Sequence, residues 1–200
     1  GLRAGVDVDM ASQIYVKDLP AAVKAGRIPM AQLDASVRRV LNAKYRLGLF
    51  DDPYRSCTDD GARERALPLT PQHRAAARRM AQKSLVLLEN DNQVLPLSKS
   101  VRTLAVIGPL ADHRRAMLGN WAVAGREEDA VTPLEGLKAA LGDRTRLVVA
   151  KGADIDSQDT RGIADAVAAA KQADAVVMFL GGHPDMSAEA NNRTSLDLPG

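Results

Sequence analysis

Cysteine and aromatic side chains are what this sequence has least of: Cys57 is alone, Trp121 is the only tryptophan, and Phe, Trp and Tyr together make up 3% of 200 residues. One cysteine excludes an internal disulfide and any cysteine-based zinc site, and fits a chain that folds without oxidation. Scarce aromatics remove the stacking platform on which readers of RNA and single-stranded DNA depend. Charge of one sign is also missing. The formal net charge is +2, and Lys and Arg are interspersed with Asp and Glu, so no basic face tracks a phosphate backbone and nucleic acid is not an expected partner. Apolar runs such as 173–180, broken by Asp174, fall far short of the ~20 residues that span a bilayer, so no membrane partner is expected either. There is no charged-then-apolar leader at the start, and any secretory signal is expected upstream of Gly1.

What is present is an ordinary globular composition, 46% hydrophobic and 26% charged, enough for one core or for parts of two. Residues 4–10 (AGVDVDM) alternate apolar and acidic and read as a short strand. Tyr15 to Ala25 reads as a helix closed by Gly26. A second helix carries Leu33, Val37, Val40, Leu41 and Tyr45 on one stripe and is closed by Gly48. Residues 51–71 hold Asp-Asp-Pro, Asp-Asp-Gly and three prolines without periodicity, and read as a linker between two bodies. His73 to Lys83 is expected to be helical, and Ser84 to Glu89 (SLVLLE) a strand ended by the turn formers Asn90, Asp91 and Asn92.

Beyond Leu97 the rhythm is strand, helix, strand, helix, strand: 103–107, 132–141, 147–150, 163–173 and 175–180. Continuous apolar strands alternating with helices predict a parallel sheet covered on both faces. Ligands of such sheets bind beyond the carboxyl ends of the strands, here Gly108-Pro109, Lys151-Gly152 and Gly181-Gly182-His183.

Several chemistries are excluded on pattern. TLAVIGPLAD suggests a nucleotide turn, but Pro109 removes a donor where a pyrophosphate needs one, and neither G-x-G-x-x-G nor a Walker motif occurs. His73, His113 and His183 lack metal-ligand spacing, so no metal and no cofactor are expected. No G-x-S-x-G elbow is present. What remains is the loop-forming segment 181–200, GGHPDMSAEANNRTSLDLPG, with three carboxylates, Asp185, Glu189 and Asp197. Local composition does not choose among them.

Taken in order, AGVDVDM, KYRLGLFDDPY, AAARRMAQKSLVLLENDNQVLPL, LAVIGPLAD, GNW, AKGADI and AEANNRTSLDLPG resemble glycoside hydrolase family 3, specifically its bacterial β-glucosidases. SLVLLENDNQVLPL followed by VIGPLAD is the most specific part. The resemblance implies the end of a (β/α)₈-type barrel at residues 1–57, a linker and connecting helix at 58–84, and the first part of a mostly parallel α/β sandwich domain at 85–200. It further implies a retaining, exo-acting hydrolase that removes β-linked glucose from oligosaccharides or glucosides, located in the periplasm or secreted, with a homodimer left open.

By the same correspondence Glu189 matches the family's acid/base, and the nucleophilic aspartate is expected upstream of Gly1. AGVDVDM matches the strand after the nucleophile, so Asp7 and Asp9 are expected to be polar strand-end residues. Arg193, in the R-x-x-L-x-L-P stretch, is expected to anchor the loop. Trp121 and His183 are candidates for lining the sugar cleft; for Trp121, burial in the core stays open. The sequence departs from many relatives in having Gly182-His183 where they carry Gly-Glu. A non-catalytic α/β sugar-binding or scaffold module, or a β-xylosidase, are the alternatives. Without the nucleophile these 200 residues alone are expected not to hydrolyse aryl β-glucosides, and the uncovered stripe from Leu33 to Tyr45 is expected to promote aggregation.

Overall fold

The structure, a computed structural model, describes residues 1–57 and 60–200. The chain divides into two compact units, Gly1–Val86 and Leu87–Gly200. Within the expected linker, Thr58 and Asp59 lie outside the described residues.

The first unit is helical: α1 (Ile14–Lys24), α2 (Met30–Arg46), α3 (Ala62–Ala66) and α4 (Pro71–Ser84). Both glycine stops act as expected. Gly26 and Gly48 adopt positive φ of 67° and 72°, and the amides that follow them reach back, Arg27 N–H to the Ala22 carbonyl and Leu49 N–H to that of Lys44. These bonds satisfy carbonyls that a helix end leaves orphaned. α4 begins two residues before the expected His73 because Thr70 caps it, its Oγ1 accepting from His73 N–H at 3.2 Å, and Pro71 fits the first helical turn.

Residues 4–10 are not a strand. Leu2–Ala4 form a 3₁₀ turn, and the segment after it pairs with no other strand among the described residues. Alternation supplies two faces but not a ladder, and a parallel barrel strand needs a neighbour on each side. Its acidic residues turn instead to the helices. Asp7 accepts from Arg39 Nε at 2.7 Å and from Ser36 Oγ at 2.8 Å; Asp9 accepts from Tyr15 N–H at 3.0 Å and from the Ser12 hydroxyl, supplying α1 with a cap that Gln13 does not.

The Arg39 guanidinium, and after it the Ser36 hydroxyl, hold the Asp7 carboxyl down from its ordinary value of 3.8 to about 2. A carboxyl depressed in the folded state adds stability that is complete above its unfolded value and fades as pH falls from there through about 2. Arg39→Ala is therefore expected to move the Asp7 titration upward. The carboxyl-carbon NMR shift against pH measures this, and an unchanged midpoint would show that the pair does not form in solution.

SLVLLE is likewise no strand. Leu85, Val86, Leu87 and Leu88 are all well exposed, because among the described residues there is no partner ladder for them. The turn after it forms as expected, with the Asn90 amide bonded both ways to the backbone of Leu95.

The second unit carries the sheet. β1 (Thr103–Ile107), β2 (Arg146–Ala150) and β3 (Ala175–Met178) run parallel in the order β2-β1-β3. β1 lies in the middle and is the core: Leu104, Ala105 and Val106 are fully buried. Leu104 and Val106 pack on one face against Leu134, Leu137 and Leu141 of α6 (Pro133–Leu141). Ala105 and Ile107 pack on the other against Ala166, Ala169 and Ala170 of α7 (Ile163–Lys171). Opposite faces follow from topology: the chain steps from β1 to β2 and then back past β1 to β3, and right-handed crossovers in opposite directions place their helices on opposite sides. Asp174, which interrupts the apolar run, closes the sheet end by accepting from Arg102 and Thr103 N–H at 3.1 and 2.9 Å.

Candidate active site

Reversal of strand order puts the switch point between the carboxyl ends of β1 and β3, where ligands of open α/β sheets bind. Two long connections leave from there. The one after β1 contains α5 (Arg114–Leu118) and the Gly119-Asn120-Trp121 turn; the one after β3 contains a 3₁₀ turn at Pro184–Met186 and Glu189. Their roots are joined by backbone bonds, Phe179 N–H to the Ile107 carbonyl at 2.8 Å and Leu110 N–H to the Phe179 carbonyl at 3.3 Å.

A polar network fixes the β1 loop beyond Ala111, which is itself buried in the core. Buried Thr132 caps α6, its Oγ1 accepting from Glu135 N–H at 3.2 Å and donating to Asp112 at 2.7 Å, while Glu135 accepts from Thr132 N–H and pairs with Arg114. His113 caps α5, its Nδ1 accepting from Ala116 N–H at 3.2 Å. Beside this network runs an open polar groove of about 460 Å³, lined by residues that include His113, Arg115, Glu127 and Lys138. Trp121 is 69% exposed. That excludes the core position left open for it and leaves its indole face available.

The three carboxylates of the last loop separate clearly. The Asp185 carboxylate lies 3.8 Å from Arg115 Nη2. Asp197 accepts from Ser195 Oγ at 2.6 Å. Glu189 is different. Ala188 and Asn191 exchange two backbone hydrogen bonds, 3.1 and 2.9 Å, so that Glu189 and Ala190 form the tip of a two-residue turn, with Ala190 at φ 65°. Its side chain is exposed, and among the described residues it has neither a hydrogen bond nor an ion pair. Arg193 ties the base of this hairpin, donating to the Asp197 carbonyl at 2.6 Å and reaching Met186 Sδ at 3.7 Å. His183 is half-buried, caps the 3₁₀ turn through Nδ1, and sets its ring edge-on to His113 with centroids 6.0 Å apart.

Among the described residues no cluster of three His, Cys, Asp or Glu is arranged to hold a metal, and no helix is long and apolar enough to cross a membrane.

Residues 85–200 match the profile of the glycosyl hydrolase family 3 C-terminal domain. The chain belongs to glycosyl hydrolase family 3. It is 40% identical over 227 residues to the periplasmic β-glucosidase of Salmonella typhimurium, with 99% of this chain and 28% of that protein aligned. A β-xylosidase of Formosa agariphila is 35% identical over 212 residues, covering 100% of this chain and 29% of that one. Among solved structures, the β-glucosidase of Listeria innocua in complex with glucose superposes with a TM-score of 0.84 at 33% identity, over 99% of this chain and 26% of that chain. The chain thus spans less than a third of the length of each of these relatives.

The parallel sheet with helices is the α/β fold of the family 3 C-terminal domain. Sequence reasoning named Glu189, Trp121, His183 and Arg193 as candidates and did not name His113 and Arg115, which the structure brings beside the last loop. The rule that ligands gather at strand ends pointed to the start of their loop. The partners that give them meaning, His183 and Asp185, stand far along the chain.

Proposed function

We propose that this family 3 chain is part of a retaining, exo-acting glycoside hydrolase that removes β-linked glucose from the non-reducing ends of oligosaccharides or glucosides, with Glu189 as its acid/base. The observation that carries this reading is the freedom of the Glu189 carboxyl. An acid/base must bond first to the glycosidic oxygen and then to water, and a carboxylate already held by an arginine or a hydroxyl, like Asp185 or Asp197, is poorly placed for either.

Retaining hydrolysis requires a second carboxyl ~5 Å from the first. We assign that nucleophile to an aspartate outside these 200 residues; Asp7 and Asp9, the acidic residues of the segment that resembles the strand after it, are already bonded to the helices of the first unit. In the first step the nucleophile attacks the anomeric carbon while Glu189 gives its proton to the departing oxygen. In the second, the Glu189 carboxylate takes a proton from water as water displaces the nucleophile, and the glutamic acid is restored. Exposed Trp121, and His183 at the root of the same loop pair, are candidates for the aglycone side, where an aromatic face suits the apolar face of a sugar. The name of the Salmonella relative supports glucose as the sugar and the periplasm, or secretion, as the location; the Formosa relative supports xylose as a second possibility.

The test is the longer polypeptide that contains this chain, given aryl β-glucoside and aryl β-xyloside and followed by proton NMR. A β-configured sugar as first product, formed faster from the glucoside, is expected. An α-configured first product would end the retaining reading, and no turnover of either would favour a binding or scaffold module.

A further inference from the structure

The groove beside α5 and the hairpin that carries Glu189 share one residue. Arg115 sends one guanidinium nitrogen, Nη1, to the Gly119 carbonyl at 2.6 Å and the other, Nη2, toward Asp185 Oδ1 at 3.8 Å. Gly119 opens the turn that displays Trp121, and Asp185 lies in the 3₁₀ turn that precedes Glu189. One planar fork therefore spans both loops of the switch point. A second contact reinforces it two residues earlier, where the His113 ring meets the His183 ring edge-on at 6.0 Å. Each histidine is itself fixed by accepting a backbone N–H, His113 from Ala116 and His183 from Asp185. Arg193 in turn holds Met186 and the Asp197 carbonyl. The stem of the Glu189 turn is thus held through Arg115 and Arg193, while the Glu189 carboxyl has no partner among the described residues.

We propose that Arg115 is a positioning residue for the acid/base: by bridging Asp185 and the Gly119 carbonyl it sets the place of Glu189 relative to the Trp121 turn. The proposal rests on the reading of Glu189 as acid/base. Arg115 does not itself touch the reacting atoms. An ion pair this exposed adds little to stability, so its effect is expected in geometry. A misplacement of about 1 Å is enough to cost up to 10²-fold in rate.

The longer enzyme with Arg115→Ala is compared on two glycosides of the sugar it accepts, one with an alkyl leaving group and one with 2,4-dinitrophenyl. Only the first needs a proton from Glu189. The expected result is a fall in kcat/KM, which reports formation of the glycosyl-enzyme, of about tenfold on the alkyl glycoside, less than twofold on the dinitrophenyl glycoside, and an unchanged melting temperature. Arg115→Lys should recover part of the loss, since an ammonium reaches one partner but lacks the fork that holds two. Asp185→Asn, which breaks the same link from the other side, should repeat the selective loss. In an Arg115→Ala, Glu189→Ala double variant the alkyl glycoside should turn over no more slowly than with Glu189→Ala alone, because residues that act as one unit are not additive.

Equal losses on both substrates, or none on either, would overturn the positioning role. The two readings fail separately. If Glu189→Ala shows a leaving-group-dependent loss and Arg115→Ala does not, the bridge falls and Glu189 stands; if Glu189→Ala lowers both substrates equally, the assignment of Glu189 falls and the bridge with it.

Discussion

Replacing Glu189 by alanine in the longer polypeptide is expected to slow cleavage of glycosides with poor leaving groups by about 10²- to 10⁴-fold, the usual contribution of a positioned acid or base. A dinitrophenyl glycoside should form the glycosyl-enzyme at nearly the normal rate, since its phenolate departs without a proton. Its turnover then waits on the second step, where water has lost its base. Azide needs no base, so adding it should raise turnover of the dinitrophenyl substrate and yield a β-glycosyl azide. That product is the decisive readout, because a merely misfolded variant makes none. A uniform loss on every leaving group, with no azide adduct, would remove Glu189 from the acid/base role. Asp185→Ala and Asp197→Ala serve as comparisons: both carboxylates are engaged, Asp185 with Arg115 and Asp197 with Ser195, and neither variant should give the azide product.

Gly108→Ala is expected to destabilise the second unit by about 3 kcal/mol, near the upper end of ordinary single substitutions. Gly108 has φ 118°, a region in which a side chain is strained whatever the space around it. A Cβ there would also run into the backbone carbonyl of Phe179. That carbonyl cannot retreat freely, since it accepts from Leu110 N–H and the Phe179 amide is bonded to Ile107. The comparison is Gly181→Ala, at the root of the other loop. Its Cβ would meet only the Cδ1 tip of Leu110, at 2.9 Å, and its φ is unremarkable, so a cost below about 1 kcal/mol is expected as the leucine turns aside. Chemical denaturation of both variants in the same polypeptide measures the difference. Equal, small costs would mean that β1 and β3 do not approach as closely as described.

The glycine stops at 26 and 48, the helix over 132–141 and the apolar runs 103–107, 147–150 and 175–180, the last ending as a strand at Met178, were legible in the sequence, because each acts through its own neighbours: a positive φ, an alternation of strand and helix. Where a local pattern needed a remote partner it misled. AGVDVDM and SLVLLE have the composition of strands, but hydrogen-bonded ladders require a second strand, and among the described residues neither finds one. Asp174 looked like a flaw in an apolar run. It is the acceptor that closes the amino end of β1.

For the candidate site the division is sharper. By itself the sequence determined the parallel α/β architecture, the strand ends at which a site belongs, and three acidic residues in the last loop, while resemblance pointed to Glu189. Only the tertiary structure decided which carboxylates are already engaged. Asp185 is drawn to Arg115, Asp197 to Ser195, and Glu189, at the tip of a hairpin, is left without a partner among the described residues. The reason is physical: helix and strand periods are properties of adjacent residues, whereas the availability of a carboxylate depends on charges brought near it by the side-by-side pairing of β1 and β3, which no local pattern encodes.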